Sequence, residues 1–370
     1  MNIEIVDRTS VEKGAEAALG IVDGDIHPRP REPKSLHAYL STRWQRHMDE
    51  FGMIPRHGYQ NGPAYPKGNP DASRRDAVPP GGGRPGCDLD FMRLQHLDPN
   101  NVGLGVLNAI TPAPGAAQNV DLSIALSRAL NEWQVAEWTE KEPRLKASIV
   151  VPYEDGAAAA AEIEHWAGDP SFVQILLMSR TAEPLGQRRY WPIYEAAERN
   201  NLPIGIHAFG YGGYPVTGGG WPSYYIEEMS GHAQCCQGLL TSMVIEGVFE
   251  RFPSLRAVLV EAGFAWLPAL GWRLDKHWTT LRSETPHLKQ RPSDYIRRNV
   301  WVTTQPMEEP ERRRHLTDII DWIGWDRLVF ATDYPHWDFD DPAHAFPIRL
   351  SEEQHRMIFR DNGMALYGSA

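Results

Sequence analysis

Asp25-Ile26-His27, His207, Glu261 and Asp333 are the side chains of this sequence whose types and positions could do chemistry together. Each closes or follows a short apolar run: LGIVDGDI ends at the first pair, LPIGI runs into His207, AVLV into Glu261 and RLVFAT into Asp333. Carboxylates and imidazoles are hard and borderline ligands, suited to a divalent ion such as Zn²⁺ or Mn²⁺. In an extended segment residues i and i+2 share a face, so Asp25 and His27 converge. An ion held by three or four such groups, with one position open, lowers the pKa of bound water to about 7 and polarises a carbonyl oxygen. Taken singly, each residue also has a plain structural use. His207 could be a hydrogen-bonded core histidine, Asp25 a cap or turn former, and Asp333-Tyr334-Pro335 a turn. Glu261 has the weakest such use, because a carboxylate at the end of a buried run needs a partner or a metal. Their coincidence at the ends of four runs favours a shared site.

Regular elements must position those runs. Apolar, β-branched segments recur at 19–26, 102–108, 146–152, 172–178, 203–207, 256–261, 299–304 and 327–332. Several are nearly continuous, as expected of parallel strands covered on both faces. Helical patterns lie between them at Ala157–Trp166, Pro192–Asn200, Gln237–Phe249, Leu267–Leu281 and Glu309–Trp322. Strand–helix alternation of this kind predicts an α/β fold, a single (β/α)8 TIM barrel, with an open doubly wound sheet as the alternative. In such a barrel chemistry collects at the C-terminal ends of the strands, where this ligand set falls. One domain is expected over 1–370, with the barrel at about 19–368 and a long insertion at its mouth within 28–100.

Long loops follow the first and fifth strands. Residues 54–86 are dominated by Pro, Gly and Arg, and read either as a disordered excursion or as an ordered loop over the barrel mouth. Directly after His207, residues 208–228 place Phe209, Tyr211 and Trp221 among glycines. They could line an aromatic or apolar substrate pocket, or form an oligomer contact or surface loop. Arg180, after the fourth strand, could pair with a substrate carboxylate. His336, close behind Asp333, could touch substrate, and His232 in GHAQCCQ could face the site from the start of a helix. Cys235-Cys236 reads as helix packing.

Composition bounds the rest. A chain of 370 residues with 42% hydrophobic and 23% charged residues is an ordinary globular sequence. The net charge of −11 argues against nucleic-acid binding, and Arg312-Arg313-Arg314 and Arg188-Arg189 are too short to form a basic patch. Three cysteines without C-x-x-C spacing point to a reducing compartment. MNIEIVDRTSVEK has neither the basic nor the apolar part of a secretory signal, and no run is long enough to span a bilayer. A soluble, cytoplasmic protein is expected.

The order of the motifs resembles the amidohydrolase superfamily, and within it the amidohydrolase-related branch of aminocarboxymuconate-semialdehyde and γ-resorcylate decarboxylases. The resemblance rests on Asp25-x-His27, His207 and TDYPH (Thr332–His336), supported by FERFPSLRAVLVEAGFAWLP (249–268), WRLD (272–275) and DNGMALYG (361–368). It implies that Asp25, His27, His207 and Asp333 are metal ligands, and that Asp333 also transfers protons. It also implies a homo-oligomer, a dimer by analogy. Two positions depart from the family. Its decarboxylases carry a catalytic histidine after the sixth strand, where this chain has Glu261, and FVQILLM lacks the lysine of binuclear members. One metal ion is therefore expected, zinc first and manganese as the alternative. The missing histidine favours metal-assisted hydrolysis of a carbonyl-derived bond in a small cyclic or aromatic substrate, with Asp333, Glu261 and His232 as catalytic groups. Non-oxidative decarboxylation of an aromatic or unsaturated acid is the second reading, and a non-catalytic binding barrel the third.

Overall fold

The computed structural model describes residues 20–52, 72–117, 119–208 and 214–368. Eight parallel strands stand in sequence order in one sheet: β1 (Ile21–Ile26), β2 (Val102–Leu107), β3 (Leu145–Val150), β4 (Phe172–Met178), β5 (Ile204–His207), β6 (Ala257–Val260), β7 (Val300–Thr303) and β8 (Leu328–Val329). The sheet closes where the segment after β8 meets β1. Gly24 N–H donates to Phe330 O at 2.8 Å, His27 N–H to Tyr334 O at 2.8 Å, and Asp333 N–H to Asp25 O at 3.1 Å. The fold is thus the expected barrel and not the open sheet. Gly24 sits at this seam, where a Cβ would crowd Phe330 O at 3.3 Å.

Alternation sorts the side chains. On β6, Ala257 and Leu259 join the layer beneath the helices, while Val258 and Val260 cluster inside the barrel with Val22, Leu104, Val106, Val173 and Val329. Leu366 and Tyr367 pack onto the same interior cluster. From there a polar chain leads to the mouth. Tyr367 OH donates to Gln174 Oε1 (3.1 Å), Gln174 Nε2 to Asn108 Oδ1 (3.1 Å), and Asn108 Nδ2 to Asp25 Oδ1 (2.8 Å). A buried polar group left unpaired costs about 1–3 kcal/mol, so these groups are tolerated because they satisfy one another. Gly205 on β5 makes room for them, since a Cβ there would lie 2.4 Å from Gln174 Nε2.

A bulge in β1 aims Asp25 and His27. Asp23 pairs with Gly105 and Ile26 with Leu107, so β1 carries an extra residue over this interval. A bulge of this kind re-phases a strand. Val22 joins the interior cluster below it, whereas Ile26 above it joins the outer layer, which leaves Asp25 and His27 facing inward.

Two expectations change. The helix placed at Gln237–Phe249 begins at Tyr225 and runs to Ile245, so His232 lies within it and does not open it. Its start is capped by Glu227, whose Oε2 accepts Ser223 N–H at 2.8 Å and Tyr224 N–H at 2.6 Å, a signal hidden among aromatics and glycines. Gly247, at φ 83°, separates it from the short helix Val248–Arg251. The helix placed at Glu309–Trp322 spans Arg313–Ile323.

Of the segment 54–86, residues 54–71 lie outside the described residues. The remainder is ordered across the mouth. Ser73 bridges His336, Arg74 N–H donates to Pro335 O at 2.9 Å, and Trp337 N–H to Ala72 O at 2.8 Å. No helix among the described residues is long and apolar enough to cross a membrane.

Candidate metal centre

His27 Nδ1 donates to Asn108 O at 2.9 Å, because a carbonyl oxygen can only accept. His207 Nδ1 does the same to Ala208 O. With Nδ1 engaged in this way, each ring turns its Nε2 toward the carboxylates at the mouth, the orientation that the outer hydrogen bond of a metal-binding histidine enforces. His27 Nε2 lies 3.2 Å from Asp25 Oδ1 and 2.9 Å from Asp333 Oδ1. His207 Nε2 lies 3.4 Å from Asp25 Oδ2 and 3.3 Å from Glu261 Oε2. One ligand atom each from Asp25, His27, His207 and Glu261 falls within 4.8 Å of the others, and all four residues are buried. Asp333 belongs to two adjoining groups, one with His27 and His336 and one with Glu261 and Asp338.

Asp25 Oδ2, His27 Nε2 and Glu261 Oε2 meet here without a hydrogen bond of ordinary geometry. Buried polar atoms are rarely left so, and a divalent cation would satisfy all three. The donor set of imidazole nitrogens and carboxylate oxygens fits such an ion.

The charges agree. Burial pushes the Asp25 carboxyl up, but His27 and His207 outweigh it and hold it far below the usual range. Burial lowers the His27 imidazole, yet Asp25 and Asp333 raise it to about 10. Burial lifts Asp333 to about 6 against the pull of His27. Glu261 rises well above its usual value through burial and the nearby Asp333, Asp338 and Asp25. Asp338 is lifted to about 7, by burial first and Asp333 next. These carboxyls crowd where a cation would relieve them, and ligands bind a cation deprotonated. Both Glu261 (φ 57°) and Asp333 (φ 61°) are held in the left-handed region, a strain of about 1–3 kcal/mol each for a non-glycine residue.

Around this centre, His336 is buried with Nδ1 2.5 Å from Asp333 Oδ1, and Arg29 Nη2 approaches its Nε2 at 3.5 Å. Burial, with His27 and Arg29, keeps the His336 ring neutral. His232 is buried as well; burial, His207 and Arg180 lower it to about 3. Arg180 is buried, donates to Tyr214 O, and stands 5.6 Å from the Tyr214 ring. Trp221 is exposed, and Phe209 and Tyr211 lie outside the described residues. The sequence reading missed Asn108, Gln305, Asp338 and Arg29. Gln305 Nε2 reaches Asp333 Oδ2 and Asp338 O, each at 3.3 Å. Asn108 and Gln305 follow β2 and β7 in the same way that His207 closes β5. The strand-end rule would have found them had it been applied to amides.

Glu261→Gln is expected to stabilise the metal-free protein at neutral pH. The folded carboxyl keeps its proton above about pH 4.3, where the unfolded chain has released it, so wild-type stability falls as pH rises. Denaturant unfolding between pH 4 and 8 should show a gap favouring the variant that closes toward pH 4. A pH-independent gap would remove Glu261 from the cluster.

A family model described as amidohydrolase matches residues 22–369. A curated gamma-resorcylate decarboxylase of Rhodococcus jostii (strain RHA1) is 27% identical over 302 residues, covering 76% of this chain and 88% of that protein. Two solved structures share the fold. A dihydroxybenzoic acid decarboxylase from Polaromonas sp. JS666, with bound manganese and the inhibitor 2-nitroresorcinol, aligns at a TM-score of 0.65 and 19% identity, covering 94% of this chain and 97% of that one. A 5-carboxyvanillate decarboxylase from Novosphingobium aromaticivorans DSM 12444, complexed with manganese and 4-hydroxy-3-methoxy-5-nitrobenzoic acid, aligns at 0.70 and 19% identity, covering 96% and 98%. With the family model spanning nearly the whole barrel, the chain belongs to the amidohydrolase family.

Proposed function

We propose that the protein is a manganese-dependent decarboxylase of a small aromatic carboxylic acid. The observation that carries this reading is the buried Asp25–His27–His207 group with Asp333 beside it, in a chain whose curated relative is a gamma-resorcylate decarboxylase. Hydrolysis, which the absent histidine after β6 favoured, gives way because the curated relatives and several of the similar structures carry decarboxylase names. Zinc gives way to manganese because two of the structures hold that ion and the donor set is rich in carboxylate oxygen.

Asp25, His27, His207 and Asp333 would hold the ion, with Glu261 as a further ligand atom beside His207. When bound, the ion supplies positive charge for the substrate carboxylate and an adjacent ring oxygen. Arg180 pairs with an anionic substituent at the rim, which the neutral His232 borders. As the ring–carboxylate bond breaks, its electron pair stays on the ring carbon and carbon dioxide leaves. Asp333 would take up a proton from solvent before the substrate closes the site and deliver it to that carbon; burial, which raises its carboxyl to about 6, favours holding that proton. His336 Nδ1–H holds one Asp333 oxygen and Gln305 Nε2 the other, which fixes the direction of the transfer.

The test incubates manganese-loaded protein with γ-resorcylate, 5-carboxyvanillate, and a set of aryl esters and lactones. Carbon dioxide release from a hydroxylated benzoate is expected. Ester or lactone cleavage without carbon dioxide release from any acid would restore hydrolysis.

A further inference from the structure

Asp23 is fully buried on β1, yet the bulge turns it away from Asp25 and His27. Its two oxygens meet four donors. Oδ1 accepts Thr332 N–H at 2.9 Å and Asp25 N–H at 3.2 Å, while Oδ2 accepts Thr332 Oγ1–H at 2.6 Å and His96 Nε2–H at 2.8 Å. The tautomer of His96 is set from its other side, where Asn100 Nδ2 donates to Nδ1 at 3.1 Å. The His96 ring also stacks on Tyr334, with centroids 4.6 Å apart and planes 4° from parallel. Tyr334 OH is anchored in turn on Gln95 Oε1 at 2.9 Å. Residues 332 and 334 are therefore gripped on both sides of Asp333, whose own backbone is strained at φ 61°. His96 and Gln95 come from the wide π-helical turn Arg93–Leu97, in which Asp98 N–H bonds back to Arg93 O at 3.0 Å. Such turns recur at functional sites.

We propose that Asp23 and His96 are positioning residues for the metal centre: a clamp outside the barrel that holds Asp333 in its left-handed conformation, aimed at the cation. The proposal rests on the reading of Asp333 as a metal ligand. It assigns the clamp a task that packing alone does not require. A valine or leucine at position 23 would fill the space, but only a group with two acceptor oxygens can bind the backbone and hydroxyl of Thr332, the Asp25 amide and His96 together. Outer hydrogen-bond partners of this type typically govern metal affinity by about 10–100-fold.

The test uses the full chain stripped with chelator. Mn²⁺ is titrated back while free and bound ion are read by electron paramagnetic resonance. Asp23→Asn keeps the side-chain volume but replaces one oxygen by an amide donor, so the two bonds which that oxygen accepted lose their acceptor. Thr332→Val removes the hydroxyl donor alone, and His96→Gln removes the stacked ring. Asp23→Asn should weaken Mn²⁺ binding by about 10–100-fold and change the bound line shape. Thr332→Val and His96→Gln should move both in the same direction. At saturating Mn²⁺, kcat should fall with KM nearly unchanged. A purely structural role would lower the melting temperature of the metal-free protein and leave affinity, line shape and kcat as in wild type; that result would overturn the clamp. Should Asp23→Asn not fold, judged by its far-ultraviolet dichroism, the other two variants decide. Wild-type protein that binds no Mn²⁺ would overturn the metal reading itself, and the clamp with it.

Discussion

Replacing Asp333 by asparagine is expected to lower kcat by about 10²–10⁴-fold, the usual contribution of a positioned proton donor. Asparagine suits the test because it tolerates the left-handed backbone that Asp333 adopts. It also keeps the volume of a residue that has no solvent exposure. What it lacks is an ionisable proton and a second acceptor oxygen. His336 Nδ1 and Gln305 Nε2 address opposite oxygens of Asp333, so one of them would face an amide NH₂. The loss should appear in kcat at saturating Mn²⁺, with metal content checked by elemental analysis of the same sample. Near-wild-type kcat would show that the ring carbon receives its proton elsewhere, and Glu261 would be the next group to examine.

His207→Ala should act earlier, on the ion itself. His207 is fully buried, and its Nε2 stands between Asp25 and Glu261. Its loss removes the sole nitrogen donor from β5 and should cost more than the roughly 100-fold typical of an outer partner. Elemental analysis after desalting should find the variant nearly metal-free while wild type keeps close to one ion per chain. Removing a buried imidazole also leaves a cavity, whose cost is offset in part because one fewer polar group must be satisfied. The melting temperature of the metal-free variant should therefore stay close to wild type, which separates lost binding from lost folding. Stoichiometric metal in His207→Ala would exclude His207 as a ligand.

Much of this site was legible in the sequence because parallel strands covered on both faces must be apolar, so a charge at the end of such a run stands out. That logic located β1, β5, β6 and the segment after β8, and with them Asp25, His27, His207, Glu261 and Asp333. It failed where polarity is satisfied internally. Gln174 and Asn108 sit inside the barrel through one another and Tyr367, an arrangement no local pattern announces. The bulge in β1 was equally hidden. Simple alternation would put Asp23 on the face of Asp25, and only the pairing with β2 shows that an extra residue separates their roles. The helix Tyr225–Ile245 was started late because its cap is a glutamate inside its own first turn, not a serine or aspartate before it. The order of the two reactions turned on Glu261. A single replaced residue weighed more in the sequence than it does beside relatives with decarboxylase names.

Because β1 is sealed by residues 330–334, the first strand of the barrel to be synthesised waits for the last to be made. Pairing between segments so distant along the chain is slow to form, and until it does the free side of β1 is an open edge able to pair with other chains. Asp25 and His27 are available on the nascent polypeptide, but Asp333 reaches them only when the circle shuts. If Asp333 is a ligand as proposed, cation loading would be completed late in maturation and would report barrel closure.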